Sequence, residues 1–204
     1  MAEAYLRLSA LAHLGLEARA VADPGEAGVV LSERPGRGQI DLRGEAEDAG
    51  FLGAVEQAIG LALPLAAGAT ASGGAATALW LGPNEWLVVT PPDGQGAVAE
   101  ALRAALKDLW AAVTDVSDSR AVIGLSGRHA RDVLMKGCSL DLHPRVFGPG
   151  RSAQSAVARA LVLLHQTDEG PSYDLYVHRS FAEYLWLWLE DAAEEYGLAV
   201  VSGG

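Results

Sequence analysis

The chain has 204 residues, half of them hydrophobic, and a formal net charge of −11. That length suggests one domain or a fused pair of half-domains, burying roughly 70% of its unfolded surface. The acidic balance argues against nucleic acid and against an anionic membrane surface, because both select a basic footprint.

Residues 1–22 read as an N-terminal arm in which Leu8, Leu11 and Leu14 recur every three residues, enough for a short helical turn. No cationic segment followed by an apolar core precedes it, so no secretory signal is expected. Val29-Val30-Leu31 predicts a strand, and Gln39-Ile40-Asp41-Leu42-Arg43 predicts its neighbour across the turn residues Pro35-Gly36-Arg37-Gly38. A helix over 47–59 follows, with Phe51, Leu52, Val55 and Ile59 as its apolar stripe. The uncharged stretch 57–84 is broken by Gly60, Pro64, Gly68, Gly73 and Gly74, unlike a spanning helix of ~20 apolar residues. Ala78-Leu79-Trp80-Leu81 and Trp86-Leu87-Val88-Val89 predict a hairpin closed by Gly82-Pro83-Asn84. A helix to about Trp110 then buries Val98, Leu102, Leu106 and Leu109.

The pattern then begins again. Strands are expected over 113–116 and 121–125, a helix over 128–136 stopped by Gly137, and strands over 157–164 and 174–177. The last helix starts at Ser180, which can form a capping box with Glu183. Ile40-Asp41-Leu42-Arg43-Gly44, a helix, then Leu61-Ala62-Leu63-Pro64 is one copy of a repeat. Ile123-Gly124-Leu125-Ser126-Gly127, a helix, then Leu140-Asp141-Leu142-His143-Pro144 is the other. The expected fold is α+β. It consists of two pseudo-repeats of strand-strand-helix-strand-strand-helix, over 28–110 and 113–196, in a single domain spanning 1–204.

Chemistry is sparse. Cys138 is the single cysteine, so an intrachain disulfide is impossible and a thiolate zinc site lacks partners. The missing disulfide framework fits a reducing cytoplasm. None of the five histidines pairs with another at helical metal-ligand spacing, and no phosphate loop, dinucleotide fingerprint or nucleophile elbow is present. No catalytic, cofactor-binding or metal-binding residue is therefore assigned. The polar run from Thr114 through Asp115-Val116-Ser117-Asp118-Ser119 to Arg120 reads as a strand edge and turn whose side chains bond local backbone. In the last helix, positions 181, 184, 185, 188, 189 and 192 make one core stripe. Trp186 and Leu187 fall off it. With Leu8, Leu11 and Leu14 of the arm they are the candidate interface residues, since large apolar side chains without an internal partner point to a binding surface.

Three blocks carry a family resemblance. They are Leu81-Gly82-Pro83-Asn84-Glu85-Trp86-Leu87, the polar run continuing through Gly127 to His143, and Tyr173-Asp174-Leu175-Tyr176-Val177-His178-Arg179 with the helix to Trp186. In this order they resemble the gamma subunit of heterotetrameric sarcosine oxidase. The resemblance implies a fold similar to the folate-binding domain of the glycine-cleavage T-protein. It implies alpha, beta and delta partner subunits that carry FAD, FMN, NAD and zinc, with docking on alpha and no cofactor in this chain. The complex would oxidise sarcosine to glycine and hydrogen peroxide, and hand the one-carbon unit to tetrahydrofolate or release it as formaldehyde. A free-standing folate-binding or one-carbon transfer protein is the other reading. Against it, the superfamily's glycine pair and acidic residues are matched here by the stretch Arg159 to Gln166, with Leu163 and Leu164 at the acidic positions and His165 just beyond.

Overall fold

The computed structural model describes residues 8–74 and 76–203. Its elements, in chain order, are α1 (Leu16–Arg19), β1 (Val29–Glu33), β2 (Arg37–Gly44), α2 (Ala49–Ile59), β3 (Thr70–Gly73), β4 (Ala76–Gly82), β5 (Glu85–Pro92) and α3 (Gln95–Ala105). There follow β6 (Ala111–Asp115), β7 (Arg120–Ser126), α4 (Ala130–Met135), β8 (Arg151–Val157), β9 (Ala160–Asp168), β10 (Ser172–His178), α5 (Ala182–Ala193) and β11 (Leu198–Val200). The first seven residues of the arm lie outside the described residues.

The α+β class and the doubled order of elements are those expected from the sequence, with one extra strand in each copy and a further strand, β11, after the last helix. The extra strand of the first copy, β3, is Thr-Ala-Ser-Gly, too poor in apolar residues to read as a strand. The strand expected over 157–164 is two strands, β8 and β9, which turn at Ala158 with φ 52° and lie side by side in one sheet.

Strand pairing departs further from expectation. Among the described residues one sheet runs β11-β1-β7-β10-β9-β8 and the other β3-β4-β5-β2-β6. Written as β1-β7-β10-β9-β8 and β6-β2-β5-β4-β3, the two orders are the same, except that each repeat has given its first strand to the other's sheet. β1 and β2 are therefore not neighbours. β1 pairs antiparallel with β7 (Leu31↔Leu125) and parallel with β11 (Val30↔Ala199), while β2 pairs with β5 (Ile40↔Val88) and β6 (Leu42↔Val113). Alternating apolar residues fix which face of a strand is buried but not which strand lies beside it. The contacts accordingly group the chain up to Pro35 with Ser119–Pro149 and the residues from Gln154 on. Gly36–Asp118 groups with Gly150–Ala153. The boundaries of these units fall near 35 and 118, with the short stretch 150–153 returning to the second unit.

In the second of these units, α2 and α3 cover one face of the five-stranded sheet. Asp48 caps α2 by accepting from Gly50 N at 2.7 Å, and Gly60 ends it in the left-handed region with φ 66°. Phe51 and Val55 of α2 and Ala99 and Leu102 of α3 join Ile40, Leu42, Trp86 and Val88 in one core. The rings of Phe51 and Trp86 lie 5.8 Å apart, and the indole Nε1 of Trp86 donates to Pro64 O at 2.8 Å. α3 ends at Ala105, five residues short of the end expected at Trp110. No described helix is long and apolar enough to cross a membrane.

Candidate functional site

The six-stranded sheet carries a buried polar row that no sequence motif announced. Register places Ser32 opposite Gly124, Gly124 opposite Asp174, and Asp174 opposite His165 on β1, β7, β10 and β9. Residues opposite one another share a face, so these positions form one line across four strands. Gly124 contributes no side chain, and that space is used. A Cβ there would lie 2.5 Å from Ser32 Oγ and 2.8 Å from Arg34 Nε. The Arg34 side chain passes over this gap to bring Nε within 3.1 Å of Asp174 Oδ1, an ion pair off the line of a hydrogen bond.

Asp174 is 3% exposed and His165 is 8% exposed. His165 Nδ1 has no hydrogen-bond partner among the described residues. Desolvation pushes the imidazole pKa below its ordinary value, and Arg34 adds to this while Asp174 opposes it. A base whose folded pKa is depressed binds fewer protons folded than unfolded. Stability is then fully present above the unfolded pKa of about 6.5 and falls as pH drops through it. We expect urea unfolding to show stability falling below pH 6.5, by at most ~1.4 kcal/mol per pH unit from this group. His165→Gln should flatten that segment, and an unchanged profile would mean that His165 is not its source.

The stretch matched to the superfamily's acidic positions has Leu163 and Leu164 buried on β9. Among the described residues the buried acid of this sheet is Asp174 on β10, and its ion pair is with Arg34. The clue in the sequence was a lone charge inside the apolar run Tyr173-Asp174-Leu175-Tyr176-Val177. The run from Thr114 to Arg120 behaves as the turn chemistry anticipated. Asp115 Oδ1 accepts from Ser117 N at 3.0 Å and from Ser117 Oγ, whose oxygen in turn accepts from Gln39 N at 3.0 Å. Among the described residues no three His, Cys, Asp or Glu side chains converge as metal ligands.

The interface residues need correction. Trp186 is completely buried, together with Ala182, Leu185, Leu189, Ala192 and Ala193. The buried stripe is rotated by one residue, about 100°, from the expected one. Phe181 and Tyr184, expected in the core, are exposed, packed edge to face with centroids 6.4 Å apart. α5 packs against β7, β10 and α4, and the arm is ion-paired to it. His13 Nε2 sits 3.3 Å from Glu183 and Arg19 pairs with Glu190, so the arm is tied to α5 on either side of Trp186 along the helix. Leu11 and Leu16 are also buried, Leu14 is half-buried, and Leu8 and Leu187 remain exposed. Glu183 is used here and not in a capping box. Arg179–Phe181 forms a 3-10 turn ahead of α5, whose start has no side-chain cap.

Comparison with known proteins agrees with this architecture. The family model described as "Sarcosine oxidase, gamma subunit family" matches residues 43–195. The chain is 37% identical to the sarcosine oxidase subunit gamma of Corynebacterium sp. (strain U-96), over 97% of this chain and 95% of that protein. It is 40% identical to that of Arthrobacter sp., with the same coverage. Among solved structures it superposes on a chain of heterotetrameric sarcosine oxidase from Corynebacterium sp. U-96 with TM-score 0.83 and 38% identity, covering 94% of this chain and 96% of that one. The glycine cleavage aminomethyltransferase T of Bartonella henselae shares the fold at TM-score 0.61 and 14% identity, covering 87% of this chain and 49% of that one. With a family model matching three quarters of its length and relatives matching nearly end to end, this chain belongs to the sarcosine oxidase gamma subunit family.

Proposed function

We propose that this chain is the non-catalytic structural subunit of a cytoplasmic heterotetrameric oxidase. That enzyme demethylates sarcosine to glycine, with hydrogen peroxide and either 5,10-methylenetetrahydrofolate or formaldehyde as co-products. The observation that carries this reading is the near end-to-end match, in both directions, to a chain of heterotetrameric sarcosine oxidase. In the proposed assembly the alpha, beta and delta subunits hold FAD, FMN, NAD and zinc, and this chain holds none of them. Its exposed apolar groups Leu8, Phe181, Tyr184 and Leu187 face alpha. Trp186 and Leu11 no longer belong to that surface, and Leu14 is only its margin.

The T-protein fold alone does not make the chain a one-carbon transferase, since fold and site are separable. Leucines stand at both matched acidic positions of β9, and leucine neither accepts a proton nor bonds a pterin amine. A buried polar ligand edge left without partners costs ~1–3 kcal/mol per group, which disfavours folate here. Two measurements test the reading. Affinity purification from native cells should bring down three further subunits with bound flavin, and calorimetry of the purified chain with tetrahydrofolate should show no micromolar binding. Isolation as a free monomer with folate bound would replace the structural-subunit reading with the transferase one.

A further inference from the structure

Trp110 is 93% exposed, more than any other large hydrophobic side chain among the described residues. It stands at the mouth of an open pocket of about 700 Å³, together with Arg43, Glu45, Pro83, Asn84 and Glu85. All of these belong to the unit built on the five-stranded sheet. The pocket's placement follows from register. Gly44 pairs with Ala111 at the end of β6, the edge strand, so Glu45 and Trp110 continue from paired positions. The β4–β5 hairpin supplies the opposite wall.

That wall is fixed before anything binds. Gly44 N donates to Asn84 O at 3.2 Å, and Ala46 N donates to Asn84 Oδ1 at 3.0 Å, which ties the hairpin tip to the chain leaving β2. Pro83 stiffens the tip itself. The charges are unequal. Arg43 Nη2 donates to Glu85 at 2.9 Å, and its Nε to Asp41 at 3.3 Å, so its charge is already matched. Glu45 has only the amide of Asn84, at 3.5 Å, and no basic partner among the described residues. The lining therefore offers an uncovered indole face beside an uncompensated carboxylate, on a chain with net charge −11. An apolar group would cover the indole and leave Glu45 desolvated without a partner. A small molecule would be only partly enclosed here, whereas ligand pockets enclose most of the ligand's surface. A guanidinium answers both features, stacking on the indole while its N–H fork bonds the carboxylate. An ammonium meets only the charge.

We propose that this pocket receives an arginine side chain from a partner subunit, stacked on Trp110 and paired with Glu45. The proposal rests on the subunit reading above and adds a second docking surface, on the unit that does not contain α5. The test uses the chain co-expressed with its partner subunits, with the dissociation constant of the assembly measured at two salt concentrations. Trp110→Ala should weaken assembly by ~30-fold, the loss typical of a hot-spot tryptophan. Trp110→Phe should retain most of the affinity. Glu45→Gln should weaken it by about fivefold and reduce its dependence on salt. Because Trp110 lies almost entirely in solvent, the melting temperature of the free chain should not change in any variant. Affinities within twofold of wild type for both Trp110→Ala and Glu45→Gln would overturn the docking site. A loss in Trp110→Ala with no effect of Glu45→Gln on affinity or salt dependence would overturn the arginine and leave an apolar contact. A wild-type chain that fails to assemble would overturn the subunit reading itself, a result separable from both.

Discussion

Trp186→Ala will lower the stability of the isolated chain by about 3–5 kcal/mol in denaturant unfolding. The side chain is among the largest with no exposed surface, and it sits on the stripe of α5 that includes Leu185, Leu189 and Ala193. Truncation to alanine removes the indole's buried area and leaves a cavity that the packed helix and sheet cannot fully close. The arm is held to α5 by the His13–Glu183 and Arg19–Glu190 pairs on either side of the same position. Those pairs are partly exposed and contribute little alone. Leu187→Ala, one residue along and exposed, should change stability by less than about 0.5 kcal/mol. Similar losses in the two variants would contradict the orientation of α5. A finer comparison separates this tryptophan from Trp86. The Trp86 indole N–H donates to Pro64 O, whereas Trp186 Nε1 has no acceptor among the described residues. Trp86→Phe orphans a carbonyl and should cost more than Trp186→Phe, which removes an unpaired donor.

Asp174→Ala is expected to cost about 2–3 kcal/mol. Breaking a fully buried ion pair from one side costs ~3–5 kcal/mol, because the remaining charge is left in a poorly polarisable site. Here the remaining charge is Arg34, whose side chain is 28% exposed, so water recovers part of that penalty. Gly124 is the reason the arginine can lie there, since a Cβ at that position would meet Ser32 and Arg34. Arg34→Met combined with Asp174→Leu should recover most of the loss, because the pair's attraction mainly offsets its own desolvation. Double-mutant unfolding measurements give the coupling directly. If Asp174→Ala is within 0.5 kcal/mol of wild type, the carboxylate is not held as an ion pair in solution.

Both positions mark where the sequence was ambiguous. Asp174 is a single charge in an apolar strand, and such a residue reads equally as an edge position or as a buried partner. Only the alignment of β1, β7, β10 and β9 brings Ser32, Arg34 and His165 to it, from 9 to more than 140 residues away along the chain. The helix carrying Trp186 has large apolar groups on most of its circumference, so periodicity accommodates two stripes one residue apart. What settles the choice is the packing of α5 against β7, β10 and α4, a tertiary contact that periodicity does not contain.

The amino-acid order by itself determined the α+β class, the doubled arrangement of strands and helices, the α2 stripe with Phe51 and Val55, the hairpin at Gly82-Pro83-Asn84, and the family. These depend on local periodicity, turn chemistry and motif order, which are properties of neighbouring residues. Only the tertiary structure decided that each repeat gives its first strand to the other's sheet, that Trp186 lies inside, and that Trp110 lies outside at the end of an edge strand. An alternating strand is satisfied by any neighbour that buries the same face, and an apolar helix face by any segment that covers it. Which strand or segment does so depends on long-range packing, and no short window of sequence contains that information.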